Sequence, residues 1–211
     1  MHRMHQLKLY FPLLTGHQVD QYWESCQIYW EWNSKINVIS RKDIDQLLTH
    51  HILHSLAIAR VIAFKPGTEI MDAGTGGGFP GIPLAIFFPE SRFTLVDSIA
   101  KKIRVAEDVS QRLGLKNVTL VNARFESLSS RYDFITGRAV TNIAAFAKIT
   151  APLIKKKELN DIPNGIFYLA GGELQQSLEP IRAQKRVYDL SDFFNEPYFE
   201  TKKLIHLYNF L

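Results

Sequence analysis

The sequence predicts a doubly wound α/β fold: a mostly parallel sheet of seven strands, ending in a C-terminal antiparallel hairpin and preceded by an N-terminal helical cap. Three observations predict it. After Gly67, short β-rich runs alternate with helical stretches, the pattern of βαβ units. The turn Asp72-Ala73-Gly74-Thr75-Gly76-Gly77-Gly78 leaves the first of these runs and enters a helix. From Arg186 onward two apolar runs have no helix between them, which sends the chain back antiparallel at a sheet edge.

The cap comes first. Val19, Tyr22, Trp23, Cys26, Tyr29 and Trp30 recur at helical spacing between Thr15 and Asn33, and Thr15 with Gln18 forms a capping box. Its aromatic stripe is assigned to packing rather than base stacking. A second helix is expected from Asp43 as N-cap through Ile44, Leu47, Leu48, Ile52, Leu56 and Ala59, stopped by Lys65, Pro66 and Gly67. Residues 1–66 are thus read as a cap packed on a core of residues 67–211, in one structural unit. Core strands are expected at 68–72, 92–97, 117–122, 132–136 and 165–169, then around Val187 and at 203–207, where 195–197 supplies turn residues. Helices are expected at 83–88, at 100–113 with Gly114 as C-cap, and at 143–154.

Composition narrows the class. The 211 residues are 46% hydrophobic and 22% charged, the balance of a packed globular protein. No apolar run approaches the roughly 20 residues of a membrane span, and residues 1–10 lack the apolar core and cleavage site of a secretory signal. The sole cysteine, Cys26, excludes an intramolecular disulfide and suits a reducing compartment, so a cytoplasmic location is expected, with no membrane partner. A net charge of +4 fits a polyanionic partner. The candidate basic clusters are Arg41 with Lys42; Lys101, Lys102 and Arg104; Lys155 to Lys157; Arg182, Lys185 and Arg186; and Lys202 with Lys203.

The glycine-rich turn reads as a cofactor loop, because its glycines let main chain turn tightly and approach a ligand. Charge selects the ligand. A dinucleotide would set its pyrophosphate against the helix N-terminus, where Asp72 repels it, and its fingerprint wants glycine where Phe79 stands. S-adenosylmethionine (SAM) has no phosphate and carries a sulfonium and an ammonium that favour a nearby carboxylate. Asp97, ending the second strand, is placed to accept both ribose hydroxyls, against the plainer role of helix N-cap. The predicted sheet is then the Rossmann-like class I SAM-dependent methyltransferase version. Pro80 and Pro83 stiffen the entrance to the following helix.

One resemblance is specific. With Trp32-Asn33 and Asn37, His51-Ile52-Leu53 and Ser55, the run Gly78-Phe79-Pro80-Gly81-Ile82-Pro83-Leu84, and Arg138-Ala139, the chain resembles the GidB/RsmG family from about Gln21 to its C-terminus. That resemblance implies a bacterial enzyme that methylates N7 of a guanine in 16S ribosomal RNA (rRNA). It also implies SAM contacts at Gly74, Phe79, Phe125, Glu126 and Arg138. Three positions depart from the family pattern: Ala170 stands where lysine is common, Gly137 where serine is usual, and His54 where aspartate is common.

The residues agree with a ring-nitrogen acceptor. Cys26 lies on the first helix, away from where a pyrimidine-C5 nucleophile is needed, and Thr136-Gly137-Arg138-Ala139 replaces the Pro-Pro-aromatic motif of exocyclic-amine methylases. Guanine N7 offers an unprotonated lone pair, so transfer needs alignment rather than a general base. The contribution expected of Arg138 is therefore positioning. The cofactor-binding set is Asp72, Gly74, Gly76, Gly78, Phe79, Asp97, Phe125, Glu126 and Arg138. A metal site at His50, His51 and His54 is rejected because no acidic or cysteine partner is apparent. The partner is 16S rRNA or the small ribosomal subunit. Competing readings are a noncatalytic rRNA- or assembly-binding module keeping a SAM fold, and an NAD-dependent oxidoreductase.

Overall fold

Strands buried on both faces need a layer of cover on each side, and the apolar residues of the central strands alternate accordingly. In the computed structural model, which describes residues 2–40 and 43–211, seven strands form one sheet. They are β1 (Glu69–Ala73), β2 (Arg92–Asp97), β3 (Val118–Asn122), β4 (Phe134–Arg138), β5 (Gly165–Gly171), β6 (Gln184–Asp189) and β7 (Lys202–Tyr208). Their order is β3-β2-β1-β4-β5-β7-β6. The first five are parallel, and β7 runs antiparallel to both β5 and β6. The last strand therefore inserts between β5 and β6. The expected antiparallel pairing of β6 with β7 is present, and the chain between them contains two short 3-10 turns, Leu190–Asp192 and Pro197–Thr201, beyond the turn residues expected at 195–197.

One face carries Ile70, Leu95, Phe134 and Phe167, in one core with Leu7, Tyr22 and Ile52 of the N-terminal segment. On the other, Met71, Val96, Ile135 and Ile166 pack with Ile143 and Phe146. The helices are α1 (His2–Tyr10), α2 (Gly16–Lys35), the single turn α3 (His54–Leu56), α4 (Gly81–Phe87), α5 (Ala100–Arg112), α6 (Ile143–Thr150) and α7 (Gln175–Leu178). Thr15 and Gln18 make the expected capping box at α2. Gly114 takes the left-handed conformation (φ +67°) just after the end of α5.

Four expectations change. Helix α1 is not among the expected elements, although its buried residues Met4, Leu7 and Tyr10 recur at helical spacing. The expected helix from Asp43 is instead a 3-10 turn (Ile44–Gln46), a π-helical stretch (Leu47–Leu53), α3 and another 3-10 turn (Ile58–Arg60). Asp43 caps nothing with its side chain. Strand β4 starts at Phe134, because Tyr132 pairs only with Ile154. Of the aromatic stripe on α2, Tyr22 and Tyr29 are buried, but Trp23 and Trp30 remain 43% and 47% exposed, so packing accounts for only half of it. The basic pair Arg41 and Lys42 lies outside the described residues.

Strand order reverses between β1 and β4, and ligands of open α/β sheets bind at the C-terminal ends of strands beside such a switch point. The glycine-rich loop leaves β1 there, and Arg138 ends β4.

Candidate functional site

The loop is braced from below by Asp72, which is fully buried. Its Oδ2 accepts from Thr75 Oγ1 (2.6 Å) and from Gly81 N (2.8 Å), and its Oδ1 accepts from Thr136 Oγ1 (3.1 Å). One carboxylate thus ties the start of the loop to the first residue of α4. Burial pushes the acid up to about 6, although those three donors and the Arg138 charge pull it back. Asp72, expected among the cofactor-binding residues, lies buried behind the loop and does not line the cavity. Its influence on a bound cation acts through the field.

That shift has a sign. The folded-state value lies above the roughly 3.9 of an unfolded aspartate, so the protonated acid binds its proton more tightly in the fold. The stabilisation is full below about pH 4 and is lost as pH rises through about 6. Asp72→Asn cannot ionise. Its amide can still accept from Thr75 and Gly81 and donate to Thr136, so it should gain stability relative to the wild type as pH rises from about 4 to 7. Urea unfolding across that range reads the difference; a gap that stays constant would contradict the assignment.

The main chain above Asp72 is also held. Gly74 N and Thr75 N donate to Val96 O (2.8 and 3.0 Å), Gly76 N to Asp97 Oδ2 (2.9 Å), and Gly78 N and Phe79 N to Thr75 O (3.0 and 2.9 Å). These amides are already taken by protein oxygens, so they cannot cradle a pyrophosphate. The arrangement suits a phosphate-free nucleoside. Gly74 (φ +72°) is left-handed, and a Cβ there would lie 2.8 Å from both γ-carbons of Val140. Gly76 (φ +59°) is also left-handed and faces open space, with Lys102 Cδ 4.0 Å from where a Cβ would stand. Gly78 is different: a Cβ would meet Ile82 at 2.6 Å and the Tyr29 hydroxyl at 3.0 Å, and the residue does not line the cavity. It packs under the loop, on the side of α4 and Tyr29.

A cavity of about 530 Å³ opens beside the loop, a volume within the usual range for small-ligand sites. Of the expected residues it brings together Gly74, Gly76, Phe79 and Arg138. Asp97, Phe125 and Glu126 stand outside it. Asp97 joins the loop through Gly76 and also accepts from Ile99 N (2.8 Å); the N-cap of α5 is Ile99, so Asp97 does not take the capping role weighed as its plainer alternative. Each of its oxygens keeps a second lone pair. Asn122 Nδ2 and Ala123 N both donate to Asp97 O, which carries the edge on toward the 3-10 turn Phe125–Ser127. There Phe125 packs on Phe146 (centroids 5.7 Å apart), and Glu126 is exposed. The expected residues therefore fall on two sides of the loop.

Arg138 closes the cavity floor. Its Nη1 donates to His50 O (3.2 Å), its Nη2 donates to His51 Nδ1 (3.0 Å), and its guanidinium lies over Phe79 (5.2 Å). Because His51 Nδ1 accepts, the imidazole proton sits on Nε2, which donates to Asp43 Oδ2 (2.8 Å). His51 is thereby fixed neutral, and burial with the Arg138 charge pushes it down to about 4. Burial also lowers Arg138 from its ordinary value. Asp43 holds His50 Nδ1 as well (2.5 Å); burial works against its charge, but the bonds from His50 and His51 leave it lowered overall.

Sequence reasoning found no acidic partner for these histidines, and the structure supplies Asp43. The signal was present: positions seven apart return to one helical face, which aligns Asp43 with His50. Reading Asp43 as a cap hid it. Tyr198, Lys102 and Lys202 also line the cavity without having been singled out for it. The ring of Tyr198 stacks on His50 (3.8 Å, 15°), and its hydroxyl bonds His54 Nδ1 (3.0 Å). The Gly137 departure has a packing reason, because a Cβ there would stand 2.6 Å from the Phe146 ring.

Comparison with known proteins agrees with this geometry. The family model "GidB: rRNA small subunit methyltransferase G" matches residues 17–195. The chain is 50% identical over 204 residues to ribosomal RNA small subunit methyltransferase G of Cytophaga hutchinsonii, covering 97% of this chain and 99% of that protein. It is 52% identical over 204 residues to the protein of the same name from Flavobacterium johnsoniae, covering 97% of each. Among solved structures, a SAM-dependent methyltransferase from Aquifex aeolicus superposes with a TM-score of 0.57 at 16% identity, over 80% of this chain and 98% of that one, which shows the shared fold. From the matched length and these identities, the chain belongs to the GidB family of rRNA small subunit methyltransferases.

Proposed function

We propose that the protein transfers a methyl group from SAM to N7 of a guanine in 16S rRNA of the small ribosomal subunit. The observation that carries the cofactor assignment is the loop in which the amides of Gly74, Thr75, Gly76, Gly78 and Phe79 are already bonded within the protein, over one buried carboxylate and beside another. Such a loop favours a cationic nucleoside without phosphates. Bound SAM would supply an electrophilic methyl on its sulfonium. Asp97 would accept the ribose hydroxyls with its remaining lone pairs, Phe125 and Glu126 would border the adenine, and Gly74 and Gly76 would give it close main-chain contact. Phe79 and Arg138 would border the reacting end.

Guanine N7 attacks with a free lone pair, so one positive charge moves from sulfur to base and no proton need leave. Three ionisable groups around Arg138 fit that chemistry. His51 has both nitrogens engaged, Asp72 is enclosed by three donors, and burial raises Tyr198 to about 12. None of the three is poised to take a proton, and alignment is what remains for Arg138 to provide. No helix among the described residues is long and apolar enough to cross a membrane. A 16S rRNA substrate implies a cytoplasmic enzyme.

The test uses small subunits lacking the modification, incubated with labelled SAM. Label should enter 16S rRNA at a site cleaved by borohydride reduction followed by aniline, chemistry selective for N7-methylguanine. Tight SAM binding with no label in RNA would favour the noncatalytic module, the reading prompted by Ala170 and Gly137.

A further inference from the structure

The cavity has two walls. Gly74, Thr75, Gly76 and Gly77 form the one proposed to border SAM; Ala170 and Gly171 at the end of β5, Lys202 at the start of β7 and Tyr198 in the 3-10 turn before it form the other. An acceptor approaching a methyl group presented from the loop must come from the second wall. There β5 and β7 pair antiparallel with Gly171 opposite Lys202 and Ala170 opposite Lys203. The two lysines have opposite fates. Lys203 pairs with Asp189, while among the described residues no carboxylate lies within salt-bridge distance of Lys202 Nζ. Its ammonium stands 4.8 Å from the centre of the Tyr198 ring.

Gly171 makes room for it. A Cβ at that position would lie 3.0 Å from Lys202 Nζ and 3.2 Å from its Cδ, so the stem lies across the bare end of β5 and carries the ammonium into the cavity wall. Of the other two cations lining the cavity, Arg138 is bonded to His50 and His51, and Lys102 is on the loop side, near Gly76. An ammonium with no carboxylate partner, on a four-carbon stem, acts as a point charge for an anion. The anion an RNA acceptor brings is its phosphodiester.

We propose that Lys202 is a substrate-positioning residue that binds a backbone phosphate at the nucleotide being methylated, with Gly171 as the gap that lets it reach. This rests on the RNA-methyltransferase reading above. The test compares Lys202→Gln, Lys202→Arg and Gly171→Ala with the wild type, with Lys203→Gln as the neighbouring control. Methylation is measured on unmodified small subunits over a salt series, with SAM affinity by calorimetry.

Lys202→Gln should lower kcat/KM by about 10- to 100-fold, the usual range for one charge-assisted hydrogen bond. The effect should fall mainly on KM for the subunit, and SAM affinity should stay within about twofold. The log–log salt slope of kcat/KM should flatten by about 0.7 to 0.9, the change expected when one phosphate is no longer neutralised. Lys202→Arg should keep most activity, and Gly171→Ala should show a milder form of the glutamine phenotype. Unchanged kcat/KM in Lys202→Gln would overturn the proposal. So would an unchanged salt slope, or a parallel loss of SAM affinity, which would put the ammonium on the cofactor. A wild type that labels no RNA would instead defeat the methyltransferase reading.

Discussion

Asp97→Ala is expected to weaken SAM binding by about 100-fold and to abolish methylation at ordinary SAM concentrations. Two effects add. The ribose hydroxyls would have no carboxylate to donate to, and Gly76 N and Ile99 N would be deprived of the oxygens that now hold them at 2.9 and 2.8 Å. Two charge-assisted hydrogen bonds at about 1.5 kcal/mol each correspond to that factor. Asp97→Asn tests the geometry more finely. An amide has one acceptor oxygen, so its NH2 must face either Gly76 N or Ile99 N, and affinity should fall partway. Calorimetric titration of both variants settles it; wild-type affinity in the alanine variant would mean that the nucleoside does not lie beside β2.

Arg138→Ala should reduce kcat/KM for subunit methylation by about 100-fold or more, since a misplacement of about 1 Å at a reacting centre costs that much. The guanidinium holds three things at once: His50 O, the Nδ1 of His51, and the face of Phe79. Removing it leaves His51 Nδ1 without its donor in a buried place, which should also lower stability by about 1–3 kcal/mol. Arg138→Lys should not restore activity, because one ammonium cannot fork to both acceptors while lying flat on a ring. Activity within threefold of wild type, in a variant shown folded by its unfolding midpoint, would make Arg138 a structural residue only.

These variants also separate the two ways the site is assembled. Asp97 and the loop follow from local order, since a strand end and a glycine-rich turn carry their ligand geometry with them. The Arg138 cluster is assembled from distant segments. Asp43 and His51 come from the N-terminal cap, Phe79 from the loop and Tyr198 from the connection before β7, and no stretch of sequence holds more than a fragment of it.

The sheet, the loop and most helix positions could be read from the chain because alternation and helical periodicity are local signals, set by backbone geometry within a few residues. The same is true of the capping box at Thr15 and the choice of a phosphate-free cofactor. What only the tertiary structure decided is which side of a backbone each polar group faces. Asp72 and Gly78 share the loop with Gly74 and Gly76, yet packing against Thr136 and Tyr29 turns the first pair inward. Asp43 became a histidine partner rather than a cap, its two oxygens bonded to His50 and His51 and neither to an amide of the turn it precedes. A hydrogen bond between residues far apart in the chain leaves no periodic trace, so those assignments had to wait for the fold.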